Sequence, residues 1–149
     1  MKNSEYDFIV IGGGSGGVRA ARMAATFGKK VALIEEKDLG GTCVNLGCIP
    51  KKLFSYAAHC KENFEESIGF GWKHKDLSFS WHELLQNKNQ EIIRLNKIYQ
   101  GLLENSGVAI IKEKASFINR NTVRAGSIKL TSKNILIATG GTPLKPNFL

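Results

Sequence analysis

Apolar residues fall along the chain in two rhythms. Residues 6–11, apolar without a break from Phe8, and residues 31–34 show the pattern of strands buried on both faces. Between them residues 18–27 read as a helix, stopped by Gly28 in the usual place just past a helix end. The three segments make a β-α-β unit of about thirty residues, which requires a parallel sheet and a right-handed crossover. A longer rhythm begins near Trp81. Leu84, Leu85, Ile92, Leu95, Ile98, Tyr99 and Leu102 recur at helical spacing over residues 81–105, with Ser80 and Glu83 as a capping signature and Gly107 as the stop. A further helix is predicted to start at Pro50, because proline suits a first helical turn.

After residue 107 the pattern turns to strands. Residues 108–111 and 134–138 are apolar runs, and residues 115–118, 122–124 and 127–130 alternate between breaks at Asn119-Arg120-Asn121 and Gly126. The predicted fold class is α/β, a Rossmann-like parallel sheet with a small antiparallel β-meander. Residues 67–79 carry no clear pattern and are expected to form a loop.

The length of 149 residues fits one domain able to bury roughly two-thirds of its unfolded surface. With 42% hydrophobic and 23% charged residues, the composition is that of an ordinary globular protein. No apolar run approaches the ~20 residues of a membrane span. No basic-then-apolar leader is visible, so a cytoplasmic chain without membrane association is expected. The net charge of +8 is spread over short pairs such as Lys29-Lys30 and Lys51-Lys52. Such scatter is a solvated face, not a nucleic-acid stripe, and no nucleic-acid partner is expected. Three cysteines, Cys43, Cys48 and Cys60, are too few and too odd for a secreted disulfide framework. No metal is expected either: His59, His74 and His82 lack ligand spacing, and two thiols alone do not close a zinc site.

Two constellations carry chemistry. Gly12-x-Gly14-x-x-Gly17 follows a strand, opens a helix, and precedes Glu35 at the end of the next strand by twenty-one residues counted from Gly14. Those contexts give the motif its meaning as a dinucleotide fingerprint. Gly12 permits a tight turn, Gly14 lets backbone approach a pyrophosphate, and Gly17 allows close helix–strand packing. Glu35 is placed to bind an adenosine ribose, and an acid there points to FAD or NAD rather than NADP. Glu36 is expected to face solvent.

The second is Gly41-Thr42-Cys43-Val44-Asn45-Leu46-Gly47-Cys48-Ile49-Pro50-Lys51. Residues five apart in a regular helix rise about 7.5 Å, too far for the roughly 4.4–6.8 Å between Cα atoms of a disulfide. A Cys43–Cys48 bridge therefore needs a distorted turn, which Gly47 tolerates. Cys48 near a helix start and Lys51 one turn on would favour a thiolate. Cys60 lacks such neighbours and is expected to be a small apolar residue. His59, about 16 Å farther up the same helix, is too distant to serve the pair.

Together the fingerprint, the cysteine block and Ala138-Thr139-Gly140 resemble the class I pyridine nucleotide–disulfide oxidoreductases over essentially the whole chain. The resemblance implies that Cys43 is the interchange thiol that attacks a disulfide substrate and that Cys48 lies against the flavin. It implies that Ser15, Gly16, Glu35, Thr42, Lys51, Ala115, Thr139 and Gly140, with the fingerprint glycines, hold FAD. Electrons would run from NADPH through the flavin and the cysteine pair to substrate. Pro50-Lys51-Lys52, and residues 94–100 of the long helix, lean toward the glutathione reductase branch, with Arg22 and Tyr99 facing glutathione disulfide. Tyr99 also suits a purely packing role on its apolar stripe. Alternatives are a dihydrolipoamide dehydrogenase-like or mercuric reductase-like chain, or a noncatalytic FAD-binding remnant. Residues 1–149 are expected to be the N-terminal segment of an FAD domain. The NADPH-binding and interface domains, and the histidine–glutamate pair that serves Cys43 across a homodimer, lie outside this sequence, and the chain alone is expected to be inactive.

Overall fold

A strand that is apolar on every side chain needs a cover on each face, and the fold provides both. In the computed structural model, which describes residues 3–148, β2 (Phe8–Ile11) and β3 (Val31–Ile34) lie side by side and parallel at the centre of a four-stranded sheet. β4 (Ala109–Ile111) flanks β3 and β8 (Ile135–Ile137) flanks β2, all parallel, giving the order β4-β3-β2-β8. Successive side chains of a strand point to opposite faces. Val10, Val31 and Leu33 therefore meet Val18 and Ala21 of α1 (Ser15–Thr26) and Leu103 of α4 (Trp81–Glu104). Ile9, Ile11, Ala32 and Ile34 face the other way, onto Val123, Ala125 and Leu130.

Those last three residues belong to a second sheet. β5 (Ala115–Asn119), β6 (Thr122–Ala125) and β7 (Ile128–Thr131) form the predicted antiparallel meander. A short strand that the sequence does not announce, β1 (Asn3–Glu5), joins it parallel to β7. The predicted first strand is thus split: residues 3–5 pair with the meander, Tyr6 and Asp7 cross between sheets, and only residues 8–11 enter the parallel sheet. Lys30 N–H donates to the Asp7 carboxylate at 2.8 Å, and the Asn134 side chain donates to the Asp7 carbonyl at 3.2 Å, which ties the crossing to both neighbours.

Helix ends follow the expected signals. Gly28 (φ +74°) and Gly107 (φ +77°) adopt the left-handed conformation past α1 and α4. Ser80 Oγ accepts the Glu83 N–H at 3.2 Å. Within α4, however, the fully buried residue is Leu103, which the periodic stripe omits, while Ile98 on that stripe is exposed. The cysteine block differs more from expectation. It folds as two helices, α2 (Gly41–Asn45) and α3 (Cys48–Ser67), and Pro50 is the third residue of α3, not its first. The loop expected over residues 67–79 starts later than that: Ser67 still belongs to α3, a 3₁₀ turn covers Ile68–Phe70, and residues 72–80 have no regular structure.

Candidate functional site

The glycine loop between β2 and α1 is shaped by contacts no side chain would permit. Gly12 has φ +108°, and a Cβ there would lie 2.3 Å from the Ala138 carbonyl oxygen at the end of β8. At Gly17 a Cβ would lie 1.9 Å from the Gly12 carbonyl oxygen, so helix and strand close directly on each other. Gly16 has open space around it, and Gly14 has only the Gly41 Cα, at 3.8 Å. Gly13, which the fingerprint leaves free, is also constrained: a Cβ would meet Leu39 at 2.8 Å and Glu35 at 3.1 Å. Its signal in the sequence is only its place between the motif glycines.

α1 begins with Gly14 as its cap, no side chain bonded to its first turn and no acid within it. Its leading N–H groups and the positive end of its dipole are left to an anion. Ser15 and Gly16 stand exposed at that end. Glu35 directly follows β3 and is half-buried, and Glu36 is exposed as expected. The Glu35 carboxylate accepts the Gly13 N–H at 2.6 Å and the Lys37 N–H at 2.8 Å. Beyond the expected ribose contact, it therefore braces the glycine loop.

Four of the residues singled out from sequence converge on one cleft of about 160 Å³: Gly12, Glu35, Ala115 and Thr139, with Ile11 and Ile34 at its back. They come from β2, the end of β3, the start of β5 and the segment after β8. This small cradle, with Glu36, Glu113 and Lys114 also in its wall, offers carboxylates to the hydroxyls of an adenosine, and the open first turn of α1 offers N–H groups to a pyrophosphate. The residues fit the cofactor. Gly140 (φ +70°) is exposed one residue beyond Thr139 and does not line the cleft. A larger cleft of about 460 Å³ shares Glu35 with the small one and runs between α4 and the segment after β3, with Leu39, Asn96 and Lys97 in its wall and neither cysteine.

The glycine loop and the cysteine block touch through backbone. Gly40 N–H donates to the Gly13 carbonyl at 2.8 Å, and a Cβ on Gly41 (φ +61°) would lie 2.8 Å from the Gly14 Cα. Beyond this seam α2 presents exposed Thr42 and half-buried Cys43. The chain then breaks at Leu46 and Gly47 and restarts as α3 with Cys48 as its first residue. Gly47 makes the break possible: a Cβ there would lie 2.9 Å from the Thr42 carbonyl oxygen and 3.4 Å from the Cys43 Cα. This is the distorted turn the spacing demands.

All three cysteines are thiols, with Cys48 and Cys60 exposed. A hydrogen bond with the Cys48 side chain is the main cause that pushes the Cys43 thiol above its ordinary range; burial and the charge of Cys48 add to it. The Cys48 backbone N–H opposes them by donating to Cys43. Residue 48, the first of α3, thus acts on the Cys43 thiol through its side chain in the raising direction and through its backbone in the lowering one. Lys51 lies exposed in the first turn of α3. Cys60 departs from expectation: it projects from the open side of α3 instead of packing as an apolar residue. His59 is exposed, 4.0 Å from Glu62, as expected of a surface residue.

Arg22 lies on α1, half-buried, one turn beyond Val18. Its Nε is buried without a partner among the described residues. Tyr99 on α4 packs against the cluster that holds Val18 and Ala21, and is only partly covered. Tyr99 thus lies where α4 meets α1. No group of three or more His, Cys, Asp or Glu side chains among the described residues is arranged to hold a metal. No helix among them is long and apolar enough to cross a membrane.

Comparison with known proteins agrees with this arrangement. Residues 6–148 match the family described as pyridine nucleotide-disulphide oxidoreductase. The chain is 47% identical over 146 residues to a glutathione reductase of Burkholderia cepacia, covering 98% of this chain and 32% of that protein. A glutathione reductase of Nostoc sp. is 42% identical over 142 residues, 95% of this chain and 31% of its own length. The chloroplastic/mitochondrial glutathione reductase of Pisum sativum is 40% identical over 154 residues, 96% of this chain and 28% of its own. The chain thus spans about a third of the length of the curated relatives it matches.

Proposed function

The chain belongs to the pyridine nucleotide-disulphide oxidoreductase family, and from that premise we propose that it is the FAD-binding, dithiol-bearing part of a flavin disulfide reductase acting on glutathione disulfide. One observation carries the proposal: the backbone seam of Gly13 and Gly14 against Gly40 and Gly41, which sets a dinucleotide loop against a paired dithiol. Gly12, Glu35, Ala115 and Thr139 hold the adenosine end of FAD, the first turn of α1 with Ser15 and Gly16 holds the pyrophosphate, and Thr42, Lys51 and Gly140 border the path toward the cysteines. When bound, FAD supplies two-electron chemistry, relaying a hydride equivalent from NADPH to the cysteine pair.

The residues of the chain do the rest. Cys43 as thiolate attacks one sulfur of the substrate disulfide. That S–S bond breaks, the first thiol leaves with a proton, and Cys43 holds a mixed disulfide. Cys48 as thiolate then attacks the Cys43 sulfur, the second thiol leaves with the second proton, and the Cys43–Cys48 disulfide remains, two electrons poorer. Attack requires the Cys43 thiolate, and the thiol is pushed above its ordinary range, so a base must remove its proton first. In the complete enzyme we assign that base to a histidine outside this chain, across a homodimer. Arg22, whose buried Nε has no partner among the described residues, is assigned to a carboxylate of the peptide, and Tyr99 to the wall of the substrate cleft. We place the working compartment in the cytoplasm on the low cysteine count, although the pea relative is named for chloroplast and mitochondrion.

Titration of the chain with FAD, followed by flavin fluorescence, tests the cofactor assignment. Saturable binding lost in a folded Glu35→Arg variant is expected. No saturable binding, or binding unchanged in that variant, overturns it.

A further inference from the structure

α2 has five residues, far below the ~12 that sustain a helix in isolation. It buries one of them, Val44. Apolar packing is therefore a weak anchor for the segment that carries Cys43, and polar bonds supply the rest. Asn45, the last residue of α2, donates its amide to the Gly41 carbonyl at 2.9 Å and the Leu39 carbonyl at 3.2 Å. Asn96, fifty-one residues later in the middle of α4, donates one amide to both the Asn45 side-chain oxygen at 2.9 Å and the Leu39 carbonyl at 2.8 Å. Both hydrogens of the Asn96 amide are thus committed to the two ends of the cysteine-bearing segment.

Resting on the function proposed above, we propose that Asn96 is a positioning residue for the redox pair: through Asn45 and Leu39 it clamps α2 to α4 and so sets how closely Cys43 is held to Cys48. The chemistry requires an amide donor at this position. Aspartate would fit the space but donates nothing, and its charge would face the Asn45 oxygen and the Leu39 carbonyl. Leucine would leave the Leu39 carbonyl and the Asn45 oxygen one partner short. In either case α2 gains freedom, the local concentration of one thiol at the other falls, and the dithiol form gains over the disulfide.

The test is the thiol–disulfide equilibrium of the chain in buffers of graded reduced-to-oxidised glutathione ratio, read by alkylation and peptide mass. Asn96→Leu and Asn96→Asp should each lower the equilibrium constant for the Cys43–Cys48 disulfide about three- to tenfold, the worth of one or two hydrogen bonds. Asn89→Ala, on the exposed side of the same helix, should leave it unchanged. An Asn45→Ala variant should match the Asn96 variants, and the double variant should cost no more than either single one. Equilibria equal to wild type in folded Asn96→Leu and Asn96→Asp overturn the positioning role and leave the proposed function intact. Should Asn96→Leu not fold, the near-isosteric aspartate decides alone. A wild-type chain that forms no Cys43–Cys48 disulfide at any ratio overturns the proposed function itself, and this inference with it.

Discussion

α1 and α3 both start from a glycine and both lead into the site, yet they are held in opposite ways. α1, with twelve residues, buries Gly17, Val18 and Ala21 against the parallel sheet. α3, with twenty, buries Pro50 alone. Beyond its first turns α3 leans on α4 through one aromatic stack, Phe54 on Trp81 with ring centroids 5.5 Å apart. Farther along, Tyr56, Phe64, Ile68, Phe70 and Trp72 are all exposed. The two helices serve different ends. α1 completes the core and its N-terminus comes with it, so the anion site is as stable as the domain. In the proposed function α3 needs only its first residue placed, because that residue is Cys48.

The largest effect expected from this contrast comes from its core side. Leu103 of α4 is fully buried in the cluster shared by α1, β2 and β3. Leu103→Ala should cost about 3 kcal/mol of unfolding free energy. Phe70→Ala, at a larger but 85% exposed side chain beyond α3, should cost less than about 0.5 kcal/mol. Chemical denaturation of both variants measures the difference, and comparable losses would show that the α3 side is anchored more firmly than its burial indicates.

Much of this contrast was legible in the sequence and some was not, for physical reasons. β2 and β3 announce themselves because both of their faces are covered, so every position is apolar. The glycine loop is readable because Gly12 and Gly17 have no substitute where a Cβ would strike a carbonyl oxygen. Distortion at Gly47 followed from the arithmetic of a five-residue spacing. β1 is invisible because Asn-Ser-Glu has no apolar face and becomes a strand only through its partner β7. α2 was missed because five residues led by a glycine carry no helical period, and the clamp from Asn96 is a contact across fifty-one residues. The stripe on α4 misplaced its centre: Leu103 lies four residues past Tyr99 on the same face and is the position that the parallel sheet and α1 cover completely. Cys60 was misjudged because a lack of activating neighbours says nothing about whether its face of α3 is covered, and it is exposed.

A medium effect is expected where the bare helix has its tether. The Phe54–Trp81 stack is nearly parallel, at 20° between planes, and such pairs contribute about 1 kcal/mol beyond area. Phe54→Leu should therefore cost about 1 kcal/mol or a little less in denaturant unfolding. Hydrogen exchange should show the added opening confined to α3 beyond its first turns. An increase spread evenly through α1 would mean that the two helices open as one unit, and the contrast between them would fail.

The smallest effect lies where the two regions meet. The Cys43 thiol is pushed above its ordinary range chiefly by its hydrogen bond with the Cys48 side chain, then by burial and by the charge of Cys48. Cys48→Ala removes the first and third causes. It keeps burial, and it keeps the backbone N–H of residue 48, which acts in the lowering direction. The Cys43 pKa should therefore fall. At pH 8, below the thiol's titration, a lower pKa raises the thiolate fraction tenfold per unit, while intrinsic nucleophilicity drops by less than half of that on a logarithmic scale. Net reactivity rises. Cys43 in a Cys48→Ala, Cys60→Ala chain should thus be alkylated by iodoacetamide faster at pH 8 than in a Cys60→Ala chain, and its pH–rate profile should move to lower pH. The linkage carries the same sign. A raised pKa gives stability that is full below the unfolded thiol's titration and lost as pH rises through the folded one, so the alkaline loss of stability should be smaller without Cys48. Slower alkylation at pH 8 would mean that the helix-start N–H depends on the Cys48 side chain for its aim, and that α3 is held at its first residue less firmly than α1 is along its length.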